Sequence, residues 1–261
     1  MSADTATGER RTEVLLTEER DGVLIITLNR PSARNALDAA LSAELVRAVA
    51  LLNSRPDLHA GVLTGAGGVF CSGMDLKAFA SSGLPDGLGE LLRTGSADKP
   101  LIAAVEGYAL AGGLELALAC DLIVAARGAR LGIPEAKVGL FAAGGGLLRL
   151  PQRIPSQVAL EMAITGRPID GERAFQVGLV SRATDEGEAL EAAIELAASI
   201  VRCAPLSVRA SRELVRAVHG RGDAEFWELQ APLVRRVFTS DDAKEGPAAF
   251  AQKRAPRWSG A

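Results

Sequence analysis

The stretch Pro100–Leu122 reads PLIAAVEGYALAGGLELALACDL, and the order of its parts decides the fold. Leu101–Val105 is short and wholly apolar, the mark of a strand buried on both faces. Gly107, Gly112 and Gly113 then punctuate a turn. From about Gly112 to Ala119 leucine, alanine and glutamate predict a helix, and Leu122–Ala125 is strand-like again. Strands that alternate with helices in this way pair in parallel, so the fold class is α/β.

Outward from this stretch the same elements return. Glu13–Thr17 and Val23–Leu28, rich in Val, Leu, Ile and Thr, flank a charged turn at Glu18–Gly22 and predict a hairpin. Leu41, Leu45, Val46, Val49 and Leu52 recur at helical spacing within Leu37–Leu52, and Ala60–Thr64 is the next apolar strand. The unit is strand, strand, helix, repeated in pattern rather than in sequence. Beyond about Glu186 strand signals stop, and helices are predicted at Glu188–Arg202, Ser207–Val218, Ala224–Phe238 and Asp241–Ala251, a separate C-terminal helical lobe. Pro232 predicts a kink or a break in the third of these. Phe226, Trp227, Leu229, Leu233, Val234 and Val237 crowd the same helix, which fits either core packing or a subunit contact. Ser81–Ala97, with scattered glycines and one proline, predicts a mobile loop with a short helix.

Bulk composition narrows the class. With 261 residues, 48% of them apolar, the chain can bury one large core, or one core and a small lobe. A net charge of −3 provides no positive field for nucleic acid or anionic lipid. Cys71, Cys120 and Cys203 are widely spaced with no nearby histidine, so neither a disulfide framework nor a metal site is expected. The opening MSADTATGERR is unlike a signal peptide, and there is no apolar run of the roughly 18 residues that a membrane span needs. A cytoplasmic enzyme with reduced thiols is expected.

Three stretches could carry chemistry. Gly65–Lys77, GAGGVFCSGMDLK, runs from a strand end through glycines that let backbone approach a ligand, although a plain tight turn accounts for it as well. Within Pro100–Leu122, Glu115 lies in the first turn of a helix whose unpaired N–H groups suit an oxyanion. An acid there is favourable without catalysis, but its neighbours Leu114, Leu116, Ala117 and Leu118 make a carboxylate costly unless it is used. Leu131–Pro151, LGIPEAKVGLFAAGGGLLRLP, sets Glu135 after Pro134, which is also a common way to begin a helix. Paired carboxylates in different environments can divide acid and base roles.

Four blocks, LNRPSARNALD (28–38), GAGGVFCSGMDLKAF (65–79), GYALAGGLELALACDL (107–122) and PEAKVGLFAAGGGLLRLP (134–151), resemble in order and spacing those of the enoyl-CoA hydratase, or crotonase, family. The closing DDAKEGPAAFAQKRAPRW (241–258) is similar to that family's tail. The resemblance implies a crotonase-like spiral of ββα units over residues 1–200, holding the coenzyme A and acyl sites, and a helical lobe over 201–261 that makes homotrimers pairing into hexamers. It puts an oxyanion hole on the N–H groups of Met74 and Gly112, and catalytic acids at Glu115 and Glu135. Keeping both acids favours addition or removal of water, as in an enoyl-CoA hydratase of fatty acid metabolism, over isomerase, hydrolase or decarboxylase variants.

The resemblance further implies that the Ser32–Leu37 loop meets the adenine end of coenzyme A. Ala33, Arg34 and Ala36 on that loop, with Ser72, Met74, Asp75, Leu76 and Lys77, would line the thioester site, Arg34 and Lys77 being phosphate partners. Phe250 and Lys253 would reach it from late in the chain, from a neighbouring subunit. A solvated basic face accounts equally well for Arg34, Lys77 and Lys253. The implied partner is an acyl-CoA thioester, with coenzyme A as part of the substrate and no metal or other cofactor. Ala111, Met74, Phe141-Ala142-Ala143 and the pair Leu147-Leu148 depart from the commoner pattern. In the last of these the chain resembles the carnitinyl-CoA dehydratase branch, and an altered acyl pocket is expected.

Two rivals remain at this level. A hydrolase using Cys71 or Ser72 would need a base, and the histidines are His59 and His219, with no G-x-S-x-G elbow. A silent acyl-CoA-binding pseudoenzyme would be expected to have lost a glutamate, and both are present.

Overall fold

The computed structural model describes residues 13–75, 87–94, 97–218 and 220–261. Its strands are β1 (Leu15–Arg20), β2 (Val23–Leu28), β3 (Ala60–Gly65), β4 (Leu101–Val105), β5 (Tyr108–Leu110), β6 (Leu122–Ala126), β7 (Arg130–Gly132), β8 (Ile169–Asp170) and β9 (Arg182–Thr184). The main sheet has the order β1-β2-β3-β4-β6-β9, antiparallel at β1–β2 and parallel elsewhere, and a small sheet has the order β5-β7-β8. The helices are α1 (Ala39–Ser54), α2 (Leu88–Thr94), α3 (Gly112–Ala119), α4 (Gly146–Arg153), α5 (Ser156–Thr165), α6 (Gly171–Gln176), α7 (Ala189–Val201), α8 (Pro205–Ala217), α9 (Asp223–Phe238) and α10 (Asp241–Ala251).

Strands β2, β3, β4 and β6 of the main sheet are buried on both faces, as apolar parallel strands require. Leu24, Ile26, Leu63, Ala103, Val105 and Ile123 point to the larger core with Leu41, Leu45 and Leu52 of α1 and most of α3. Val23, Ile25, Val62, Ile102, Ala104 and Val124 alternate to the other face. There α7 lies against them through Ala189, Ala193 and Ala197, whose small side chains permit close approach.

Several expectations are corrected in detail. The hairpin turn is Asp21-Gly22 alone, both at positive φ (48° and 80°), so Glu18–Arg20 belong to β1. Such a two-residue turn matches strand twist, and the exposed edge strand tolerates charge. α9 runs unbroken through Pro232. No residue of that helix is buried, so the carbonyl that the proline deprives of a donor lies on an open surface. For the same reason its apolar residues are not core within one chain: Trp227 is 61% exposed, with Phe226 edge-on to it at 5.5 Å. Of the Ser81–Ala97 segment, α2 is the helix; residues 81–86 and 95–96, like His219, lie outside the described residues.

Candidate active site

The loop after β2 is stitched alongside the segment after β3. The Ser72 amide donates to the Arg34 carbonyl at 3.1 Å, Leu37 to Gly73 at 2.8 Å and Asp75 to Leu37 at 2.9 Å. Asn35, fully buried, pins the pair from below: its Oδ1 accepts the Arg30 amide, and its Nδ2 donates to the carbonyls of Ala66 and Val69 at 3.0 and 2.6 Å. This packing brings Ala33, Arg34, Ala36, Ser72, Met74 and Asp75 together. Leu76 and Lys77 follow directly but lie outside the described residues. Arg34 is exposed, while Asp75 is paired with Arg30. Phe250 is 86% exposed at the end of α10, and among the described residues no hydrogen bond or ion pair joins it or Lys253 to the Arg34 loop.

The stitching also aims an amide. Leu37 bonds the residues on either side of Met74, as in a parallel bridge, so the N–H of Met74 points the other way. There it meets the start of α3: a Cβ built on Gly112 would stand 3.7 Å from the Met74 nitrogen, and one on Gly73 would stand 3.5 Å from the Gly112 nitrogen. Gly112 is the first residue of α3, where no intrahelical acceptor exists. Among the described residues neither amide donates to the protein. The turn that presents them is strained. Ala111, held by its amide on the Gly132 carbonyl at 2.9 Å, has φ 51° and ψ −128°, a conformation favouring glycine.

One turn into α3, Glu115 is only 5% exposed. Its Oε1 accepts the Gly146 amide at 2.9 Å. Burial raises its pKa, while the Gly146 and Gly144 amides and the nearby Arg149 cation pull it back down. The glycines are needed here, since a Cβ on Gly144 would come within 2.7 Å of the Glu115 Oε2. Glu135 lies in a 3-10 turn, Pro134–Val138, and its Oε2 is buried with no hydrogen-bond partner in the protein. Its pKa is raised by burial and further by the charge of Glu115. The two carboxyls therefore lie close enough for the charge of one to act on the other.

The rival nucleophile does not assemble. Cys71 is fully buried, and burial pushes its thiol up to about 12, so it is protonated at neutral pH. His59 has Asp57, Lys99 and Arg209 for charged neighbours rather than Cys71, and its pKa is lowered by burial and those cations.

Sequence reasoning passed over three contributors. Asn35 carried a local signal, a turn-forming residue in the stretch SARNAL (32–37) between a strand and a helix. The amides of Gly144 and Gly146 lie in a glycine run whose pattern does not mark it as a carboxylate cradle. Arg149, which donates to the carbonyls of Gly144 at 3.3 Å and Arg93 at 2.8 Å, had no signal visible in one sequence.

Residues 18–261 match the family model described as enoyl-CoA hydratase/isomerase. The chain is 42% identical over 253 residues to the enoyl-CoA hydratase EchA19 of Mycobacterium tuberculosis, covering 93% of this chain and 95% of that protein. It is 41% identical over 252 residues to the carnitinyl-CoA dehydratase of Proteus mirabilis, covering 92% and 96%. A crystal structure of an enoyl-CoA hydratase from Mycobacterium tuberculosis superposes with a TM-score of 0.91 at 50% identity, covering 96% of this chain and all of that one.

Proposed function

The chain belongs to the enoyl-CoA hydratase/isomerase family, and we propose that it adds water reversibly to a 2-enoyl-CoA thioester, giving a 3-hydroxyacyl-CoA. One observation carries this reading: the Met74 and Gly112 amides, which donate to no described residue, converge at the start of α3, one turn from the buried Glu115, whose charge acts on the half-buried Glu135.

Hydration needs a water oxygen at C3, a proton at C2 and an acceptor for the negative charge that gathers on the thioester oxygen. The amide pair supplies the last, and losing one such donor costs about 10² to 10³ in rate. Environment divides the carboxyls. Glu115 receives two backbone amides and faces Arg149, all of which favour its ionised form, so it serves as the base that activates water. Glu135 has an unpartnered oxygen and sits in the field of Glu115, so of the two it is the one biased toward its protonated form, and we assign it delivery of the proton to C2. Run backwards, the same groups eliminate water.

A second reading is supported by the carnitinyl-CoA dehydratase relatives and by Leu147 and Leu148, 43% and 60% exposed on α4: elimination from a polar 3-hydroxyacyl thioester. Coenzyme A is then bound by the Ala33–Ala36 loop with Ser72, Asp75, Leu76 and Lys77, and no further cofactor is used. The bare apolar side chains of α9 and α10 support a homotrimer or a hexamer, to which Phe250 and Lys253 bring their contacts from a neighbouring chain. A cytoplasmic setting in lipid metabolism fits a chain in which no described helix is long and apolar enough to cross a membrane.

The test follows the absorbance of the conjugated thioester. Wild type should consume crotonyl-CoA, and Glu135→Gln should lose nearly all turnover while still binding the thioester. Full turnover in that variant would refute the assignment, and release of free coenzyme A would reassign the protein as a hydrolase. A panel of enoyl chains of varied length and polarity, with carnitinyl-CoA in the reverse direction, separates the two readings.

A further inference from the structure

At the C-terminal end of α3, opposite the end that presents Gly112, a cleft of about 560 Å³ opens between α4 and α8. Four arginines line it, Arg149 and Arg153 from α4 and Arg212 and Arg216 from α8, with Asp121 as the carboxylate among its lining residues. Part of this charge has a structural use. Arg153 Nη2 donates to the carbonyls of Leu118 and Cys120 at 2.7 and 3.0 Å, and Arg216 Nη2 to that of Ala119 at 3.2 Å, which caps α3. Asp121 is engaged on both oxygens: Oδ1 takes Arg212 Nε at 2.7 Å and Arg216 Nε at 3.0 Å, and Oδ2 takes the Leu101 amide at 2.9 Å.

The charges do not balance. A helix C-terminus contributes about half a negative charge. Against the four arginines the described residues set Asp121, that half charge and, beside Arg149, Glu115, so positive charge is in excess. The cations also repel one another at close range: besides burial, Arg216 disfavours the charge on Arg149, Arg149 and Arg216 that on Arg153, and Arg212 that on Arg216. Donors are left over as well. Among the described residues, Nε of Arg149 and both Nε and Nη1 of Arg153 have no protein acceptor.

We propose that this cleft is a binding site for a multiply charged oxyanion, a phosphate ester or a small dicarboxylate, held by Arg149 and Arg153 with Arg216 beside them. Guanidinium forks match the paired oxygens of either group. The volume lies within the range of small-molecule sites, about 300 to 1,000 Å³. Leu122 and Val215 in the wall suit an organic anion better than a bare ion.

Calorimetric titration of the full chain at low salt tests this, with pyrophosphate and malonate as probes. One saturable site per chain is expected, and whichever probe binds tighter identifies phosphoryl or carboxylate chemistry. Arg153→Gln should weaken binding at least tenfold and Arg216→Gln in the same direction, whereas Arg34→Ala, at the thioester site proposed above, should leave it unchanged. Arg216 is the more exposed of the α8 pair, so its variant remains informative should Arg153→Gln fail to fold. Absence of saturable binding, affinity unaltered in both arginine variants, or binding lost in Arg34→Ala would each overturn the site. None of these outcomes depends on turnover, so hydratase activity stands or falls separately.

Discussion

The guanidinium of Arg149 and the carbonyl of Gly144 are hydrogen bonded at 3.3 Å, and through that bond a surface-facing cation reaches the base proposed for catalysis. The Gly144 and Gly146 amides grip the Glu115 carboxylate, and the charge of Arg149 lowers its pKa directly. Arg149 is a positioning residue on this geometry: it braces the glycine loop and biases the base toward ionisation without touching substrate.

Removing it has a signed consequence. In Arg149→Gln both influences that hold the Glu115 pKa down are weakened, so the base must be deprotonated from a higher pKa. The acidic limb of the kcat/KM profile should move to higher pH and kcat should fall about ten- to a hundredfold, with Arg149→Lys restoring most of the limb's position. A loss of stability with an unmoved limb would limit Arg149 to a structural role.

Glu115 itself should be a liability to stability. Its folded pKa is raised, chiefly by burial, so below the ordinary carboxylate range both folded and unfolded chains are protonated and the residue is neutral in effect. As pH rises through the raised pKa, the folded state is forced to carry a buried charge and the full penalty develops. Glu115→Gln keeps an oxygen for the Gly146 amide and removes that charge. Its Tm should exceed wild type at neutral pH by the equivalent of about 1 kcal/mol, the advantage shrinking as pH falls from the raised pKa to the usual carboxylate range and vanishing below it, while activity is lost. A Tm difference that did not vary with pH would rule out ionisation as its cause.

Legibility in the sequence followed locality. β2, β4, α3 and α10 have the bounds that their apolar patterns predict, because each is decided within its own residues. β5, β7, β8 and β9, of two or three residues, exist only by pairing and leave no pattern of their own. Glu115 and Glu135 were legible as acids in apolar company. The cradle of Glu115 was not, since the Gly146 amide that holds it comes from 31 positions away. Likewise α9 has an apolar pattern that fits core packing or a subunit contact alike, and none of it is buried within one chain.

Asn35 should be the costliest single polar truncation in the loop that carries Arg34. Its amide satisfies the Arg30 N–H and the carbonyls of Ala66 and Val69, all inside the fold, and it does so at φ 53°, which asparagine tolerates better than alanine. Asn35→Ala strands those groups and strains the backbone. The expected loss is about 2–4 kcal/mol in urea unfolding at unchanged m-value. The Ser72 and Leu37 stitches depend on the same loop, so KM for the thioester should rise with it. A loss under about 0.5 kcal/mol would mean that water replaces the side chain.

Ala111 makes the opposite prediction. Its φ of 51° with ψ −128° is costly for any residue with a Cβ, by about 1–3 kcal/mol, and it persists because the Gly132 carbonyl and the first turn of α3 fix the backbone on both sides. Ala111→Gly relieves that strain. Against it stand the greater freedom of glycine in the unfolded chain, about 0.4–1 kcal/mol, and the loss of the methyl packed beside Gly73, where a second Cβ would approach to 2.9 Å. The balance favours glycine by about 0.5–1 kcal/mol, a rise of roughly 2 °C in Tm for a chain of this length. Because the Gly112 amide is aimed by the same turn, kcat should stay within about twofold of wild type. A fall in Tm would mean that the methyl contact outweighs the strain, and a fall in kcat alone would mean that the strained turn is what holds the oxyanion donor in line.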